Sequence, residues 1–504
     1  MLRLTKVLMA GCAVLALAAC GGGAEVASPG EGDFGNGGGG GGGGNNPPTN
    51  PAPGTPAASC PTGTTNVGTV ANGTLRACQL PNQIVGALAL PNTAGLVYAI
   101  NGVVQVGVDR GVDGTGGQQG TLTIDPGVRI FASQGSDALI VNRGSQIFAE
   151  GTSTNPIIFT SRQNIEGQTT ETSQGQWGGI ILAGRAPQAN CQLTAPVTCT
   201  GFVEGGTQVS YGGNTPADSS GRLRYVQIKY SGFEVSPGNE LQGLTTAGVG
   251  TGTVIEYIQV YNSSDDGIEI FGGTHNMRYV VINGADDDGL DTDTGWRGGA
   301  QFGIVTQRPT TGTSRSAGFE FSAAPTSVPL AQRLNSQPKI SNFTLVGRQA
   351  AVNAHTVAHF DTGSDATVIN SVFTNPTGSL SGCLDLADAD TVSVAPSFQS
   401  VFMSCAIPYR TQSSQLAGTT SVFTSGTNNT ANGTSTLQAP TSGTTISNQN
   451  LAFINGVNEN AVAVTGAPAV YSYFQSVTYI GAVQSQSDTW WRGWTCGLTA
   501  GLTC

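Results

Sequence analysis

Along most of the chain, apolar residues alternate with polar ones in short runs, and the runs recur at fixed offsets. Ile255-Glu256-Tyr257-Ile258-Gln259-Val260 and Met277-Arg278-Tyr279-Val280-Val281-Ile282 put Tyr257, Ile258 and Val260 each 22 residues before Tyr279, Val280 and Ile282. The same offset carries Asp266-Gly267-Ile268-Glu269 onto Asp288-Gly289-Leu290-Asp291, and it predicts Phe302 and Ile304 beneath Val280 and Ile282. Upstream, Leu223, Val226 and Ile228 precede Ile255, Ile258 and Val260 by 32, which implies a ten-residue loop insertion. Nearer the start, Val128/Ile147, Leu139/Ile158 and Ile140/Phe159 repeat at 19; further on, Ile340, Phe343 and Leu345, then Val368 and Val372, then Phe398 and Val401 keep a looser spacing. Alternation with period two marks short strands with one buried face, and Gly, Asn, Asp and Pro supply the turns. No stretch has the 3.6-residue period of an amphipathic helix.

A period of 19 to 29 with short alternating strands predicts an all-β chain wound as a right-handed parallel β-helix, each coil stacked on the last at the ~4.8 Å strand spacing. The alternatives fit less well: propeller blades repeat near 40 to 50 residues, and a sandwich would not hold one offset through successive strands. Roughly a dozen and a half coils would form a rod on the order of 80 Å long. Its open end needs a cover, and Trp490-Trp491-Arg492-Gly493-Trp494 with a Cys496–Cys504 loop is the expected cap.

The N-terminal segment departs from this pattern and divides the chain into 1–19, 20–59 and 60–504. Met1 to Lys6 is short and basic, and Val7 to Ala19 is apolar. Thirteen residues at 1.5 Å each cannot span ~30 Å of hydrocarbon, so the segment reads as an export signal. Leu17-Ala18-Ala19-Cys20 resembles the lipobox of bacterial lipoproteins, which implies lipidation of Cys20; with Gly21 next, the resemblance implies the outer membrane. Gly21 to Ser59, including an unbroken run from Gly37 to Gly44 and then Asn45-Asn46-Pro47-Pro48, cannot build a core and is expected to be a disordered tether.

Composition agrees with export. The 504 residues carry a net charge of −11 with only 10% charged side chains, which excludes a basic nucleic-acid binder, and 74 glycines are about twice the usual share. Of ten cysteines, Cys12 leaves with the signal and Cys20 takes lipid. The remaining eight fall as neighbours, Cys60 with Cys78, Cys191 with Cys199, Cys383 with Cys405 and Cys496 with Cys504, which predicts four local disulfides. A zinc site is the rival reading, but there is no Cys-x-x-Cys and there are only three histidines. No nucleotide-, flavin- or haem-binding pattern is visible.

One constellation stands out: Asp265, Asp266 and Glu269 in one coil, and Asp286, Asp287, Asp288, Asp291 and Asp293 in the next. If Ile268, Ile270 and Leu290 point inward, Glu269, Asp291 and Asp293 point outward, with Glu269 and Asp291 one strand apart at ~4.8 Å. Such crowding is relieved by water, by a bound cation or by a shared proton. Calcium suits Asp265, Asp266, Glu269, Asp287, Asp288, Asp291 and Asp293; the plainer reading is that Asp-Gly pairs punctuate turns. A catalytic version takes Asp265, Asp266 and Asp287 with His275 as acids and base and Arg278 or Arg297 as a substrate clamp. The Asn-x-Asp, Gly-His-Gly and Arg-Ile-Lys signatures of polygalacturonases are absent, however, and His275 reads as a surface loop residue. His355 and His359 lie in a strand-like stretch, where metal binding has little support. Trp177, Trp296 and the 490–494 cluster are expected to pack or to cap, with sugar stacking as the alternative.

Several strings together, Gly175-Gln176-Trp177-Gly178-Gly179-Ile180, Gly243 to Gly250, Asp265 to Thr274, Gly295-Trp296-Arg297-Gly298 and Tyr479-Ile480-Gly481-Ala482, resemble a family of bacterial surface or secreted β-helix lipoproteins, mostly uncharacterised, over residues 100 to 495. The resemblance implies fold and location and no activity. The expected function is a surface module, anchored in the outer membrane through Cys20, that binds a glycan or another ligand, with a role accessory to an outer-membrane transporter as one form of it. A polysaccharide lyase or glycoside hydrolase is the alternative, and a structural adhesin or envelope rod is the third reading.

Overall fold

The computed structural model describes residues 54–189, 200–205, 209–308, 316–323, 329–332, 334–349, 356–440, 451–498 and 504. All belong to one compact unit, Pro47–Cys504. Cys20, most of the tether and the Cys191–Cys199 pair lie outside the described residues.

The chain winds as a parallel β-helix. One long sheet carries eleven parallel strands from Leu75–Gln79 to Ser397–Ser404, and an 11-stranded second sheet runs from Gln83–Ile84 to Ile407–Tyr409. Strands Gly86–Leu90, Gly120–Ile124 and Gln146–Glu150 form a branch that joins the long sheet at Gly221–Lys229. Within the stack Ile258 lies beside Val280 and Leu223 beside Ile255, all fully buried, so the 22- and 32-residue offsets are real columns. The extra ten residues form the hairpin Phe233–Ser236/Asn239–Leu241.

Each long strand turns a corner at one residue in the left-handed region. Tyr225, Tyr257, Tyr279, Phe302, Asn342, Asn370 and Ser400 occupy this position in successive coils, with φ of 51, 55, 61, 63, 58, 50 and 56°. Asparagine tolerates this conformation, whereas tyrosine and phenylalanine do not favour it. Here stacking offsets the strain: ring centroids are 4.2, 4.3 and 5.1 Å apart from Tyr225 through Tyr257 and Tyr279 to Phe302.

Four expectations need correction. The 19-residue offset is not a column, because Ile147 stands beside Leu122 and Gly221, Ile158 beside Arg129 and Gln227, and Leu139 and Ile140 lie in the second sheet beside Ile180 and Ile181. One coil holds more than one strand with the same alternation, and the offset matched strands of different sheets. Phe302 is not beneath Val280: that place is taken by Gly303, with Val305 beneath Ile282, because this coil is one residue longer. A Cβ on Gly303 would lie 1.9 Å from the Phe343 ring that fills the space. Among the described residues the coils number eleven, because hairpins and loops use up chain, so the ladder is about 50 Å long.

Finally, the tryptophan segment covers a side of the stack, not its end. Trp491, Trp494 and Leu498 pack with Phe453, Ile454, Ala482 and Val483 on the outward-facing Val281, Ile304 and Val346. Trp494 meets Tyr225 and Tyr257 edge-on at 5.8 and 5.9 Å. Gln259 clamps the backbone of Cys496 in both directions, and Gln301 does the same to Gln475. One end of the core is closed by helix Leu416–Ser425, whose Phe423 packs on Phe398 and Tyr409. The other carries the hairpin Thr65–Val70/Leu75–Gln79 beside the Cys60–Cys78 bond. Cys383–Cys405 and Cys496–Cys504 are also bonded, as spacing predicts.

Trp494→Ala should cost about 3–5 kcal/mol in urea unfolding followed by circular dichroism. Val457→Ala, at a residue 76% exposed on the same C-terminal segment, should change stability by less than about 0.5 kcal/mol.

Candidate functional site

Parallel pairing in the second sheet fixes the place of the acids. Strands Leu244–Ala247, Ile268–Phe271, Leu290–Asp293, Phe319–Phe321, Thr356–Phe360 and Gly382–Leu386 lie side by side. Ile268, Ile270, Leu290, Phe319 and Phe321 fill the core. The residues between them therefore face out and make one column, Thr245–Glu269–Asp291–Glu320–His359–Asp385, which Arg410 extends with its Nη1 3.1 Å from Asp385 Oδ2.

This face is not open surface at Glu269. The hairpin Gly201–Phe202/Ser210–Tyr211 packs over Ile181, Ala247 and Phe271, and the Tyr211 hydroxyl lies 3.1 Å from Thr294 Oγ1. Glu204 follows that hairpin's first strand, and Glu240 comes from the second hairpin. Glu269 is left 5% exposed, and its Oε2 finds no hydrogen-bond partner. Three carboxylate sets result, each with ligand atoms within 4.8 Å of one another: Glu204, Glu240 and Asp265; Asp265, Asp266 and Asp287; Asp266, Glu269 and Asp291. The sets are linked through Asp265 and Asp266.

Burial, then mutual repulsion, pushes these groups toward their neutral forms. Asp265 is pushed up to about 8 by burial and by Asp287, Glu240 and Glu204, and Asp293 up to about 7 by burial and Asp361. Asp266, Glu269 and Asp291 are raised well above the usual carboxylate range, with burial the first cause in each. The His359 end is different. There Asp361 and Asp385 lie 3.9 and 3.5 Å from the two ring nitrogens, and these carboxylates outweigh burial, raising the imidazole to about 9. The column thus has an acidic half lacking a counter-charge within it and a compensated half.

A hard cation fits the acidic half. Its donors are all carboxylate oxygens, and two of them, Glu269 Oε2 and Asp291 Oδ1, are buried without a partner. The calcium set expected from sequence divides. Asp265, Asp266, Glu269, Asp287 and Asp291 converge, whereas Asp288 is tied to the stack, accepting from Ala317 N as Asp266 accepts from Asp288 N. Asp293 lies beyond these sets, toward Asp361.

The expected catalytic cast does not assemble around its histidine. His275 is fully buried, not a surface loop residue; it packs against Trp296 at 5.6 Å, and burial pushes it down to about 4. Arg278 donates to Tyr473 O and Arg297 to Asn335 O, so neither is a clamp at the acids. Trp177 and Trp296 are core residues, which removes them as sugar platforms. His355 lies outside the described residues, and His359, given little weight in the sequence, stands in the column. Glu204, Glu240, Glu320, Asp361, Asp385 and Arg410 were not anticipated; continuing the column past Asp291 would have found Glu320 and Asp385, but irregular loops hide the register.

The model of the pectate-lyase-like β-helix domain matches residues 97–495. The chain belongs to that family. No curated protein and no solved structure matches it.

The raised acids bind protons more tightly folded than unfolded, so their contribution is complete below the ordinary carboxylate range and is lost as pH rises through about 7 to 8. His359 acts in the same direction, losing its contribution as pH passes about 9. Asp361 and Asp385, held low, oppose this only in acid. In chelator, the melting temperature should fall by about 5 °C or more between roughly pH 5 and 8.5. The double variant Asp265→Asn, Asp293→Asn should flatten that fall.

Proposed function

We propose that the protein is a carbohydrate-binding module of the cell envelope, tethered through lipid on Cys20, whose acidic face holds calcium and presents it to a glycan. Membership of a pectate-lyase-like family supports a carbohydrate-related role. The observation that carries the reading is the buried, unpartnered Glu269 Oε2 between Asp266 and Asp291. Leaving such an oxygen charged and unsatisfied is costly, and a divalent cation satisfies it. The half-buried Asp265, Asp287 and Asp291 open the same site to water, so a bound ion keeps positions for sugar hydroxyls. The acidic surface repels polyanionic glycans except where calcium bridges them.

Calorimetry on the full chain should show calcium binding, and saturating calcium, at about 100 times Kd, should stabilise the fold by about 2.7 kcal/mol. Glu269→Gln should abolish that response while making the calcium-free protein more stable at pH 8. No heat of binding and no thermal shift would end the metal reading. Release of reducing ends or unsaturated sugars from a polysaccharide panel, lost in Asp265→Asn, would establish an enzyme in place of a binding module.

A further inference from the structure

The long sheet has both of its edges covered. The Thr65–Val70/Leu75–Gln79 hairpin closes one, and at the other Thr430 bonds Val401 and Met403 across the edge of Ser397–Ser404. The first strand of the branch, Gly86–Leu90, is different: it pairs in parallel with Gly120–Ile124 and with no other strand. Gly86 N donates to Gln119 O and Asp125 N to Leu90 O, so Gly86, Leu88 and Leu90 turn their backbone groups toward that neighbour. Ala87 and Ala89, both exposed, turn theirs the other way, where no strand lies among the described residues. Sheets usually guard such an edge with charge, yet no Asp, Glu, Lys, Arg or His occurs between Arg76 and Asp109.

We propose that this edge is a dimer interface, at which Gly86–Leu90 pairs antiparallel with the same strand of a second copy of the chain. When Leu88 stands opposite the partner's Leu88, Ala87 faces the partner's Ala89, and the two exchange both of their N–H···O bonds; the two-fold axis repeats the exchange on the other side. Pro91, lacking an N–H, ends the pairing. Because Thr65–Val70 rises one strand beyond the first coil, the two bodies meet at an angle. The net charge of −11 does not oppose the contact, since strand Ile268–Phe271 of the acidic site stands five strands from Gln83–Ile84, about 24 Å away and beyond the reach of screened charge. The chain also enters the body at this end: Ala57 N donates to Gly95 O at 2.9 Å, and Arg76 Nε to Ala57 O at 3.0 Å. A pair joined here keeps both entry points near the joint, so the two preceding segments can run to one surface. Those segments, rich in Gly and Pro, are poor strands and so poor rivals for the edge. The interface does not depend on the carbohydrate reading.

Sedimentation velocity of the full chain, with hydrogen exchange of the Ala87 and Ala89 amides, tests the pairing. The sedimenting mass should double with rising concentration, half-converted at or below about 100 μM, as small interfaces allow. The two amides should become protected over the same range. Ala89→Lys, which places a charge on the edge, and Ala89→Pro, which removes an N–H that the body does not use, should each weaken association about tenfold or more. Unchanged melting of Ala89→Lys shows that the fold is intact. A monomer throughout, or a dimer that forms without protecting these amides, overturns the interface. Protection already complete at the lowest concentration, in a monomer, gives the edge to the chain's own N-terminal segment and overturns it too.

Discussion

Every column in this molecule, apolar or charged, comes from one constraint: the backbone of each coil satisfies its hydrogen bonds on the coils above and below it. Once Ile268 pairs with Leu290 and Glu269 with Asp291, no side chain can leave its row without breaking the ladder. In the interior this is favourable, because like residues stack and exclude water. On the outer face it is indifferent to charge and forces Glu269, Asp291 and Glu320 into file. The acidic site is a consequence of pairing that the core requires, and the two hairpins that fold over it raise its electrostatic cost.

Two ways of meeting that cost lie along a single column. Toward Asp385, the chain supplies its own cations, with His359 between two carboxylates and Arg410 at 3.1 Å. At Glu269 the adjoining rungs are Thr245 and Asp291, neither of them a cation, and the nearest charged neighbours are other acids. Arg308 and Arg348 are buried near Asp286 on the far side of the turn, where they neutralise part of the Asp286–Asp288 run. The structure thus grades from self-compensated to uncompensated within a few strands, and the uncompensated part is the one beneath the hairpins.

The β-helix was legible because Tyr257/Tyr279 and Glu269/Asp291 belong to coils of equal length, where an offset in sequence equals a step in space. The same reasoning failed wherever coil length changed. One added residue moved Gly303 into the place expected of Phe302, and in the first coils a 19-residue coincidence linked strands of different sheets. The acids near Asp291 could be read, but their partners could not: His359 is 39 residues beyond Glu320 although it is the next rung. Glu204 and Glu240 sit on insertions that obey no period, so only three-dimensional packing reveals them. The tryptophans illustrate the opposite error, since an apolar cluster near the C-terminal end looks like a lid for the core whether it closes an end or lies along a flank.

The C-terminal segment gives this architecture a property that simple solenoids lack. In a bare stack each unit knows only its immediate neighbours, so units can be gained, lost or melted one at a time. Here a single stretch of chain touches four coils, Gln475 and Tyr479 on those of Gln301 and Asn342 and then, doubling back, Trp494 and Cys496 on those of Gln227 and Gln259. Inserting one turn of the helix between the coils of Gln259 and Gln301 would pull the two pairs of attachments apart. The tail therefore acts as a strap that ties together coils which do not touch one another.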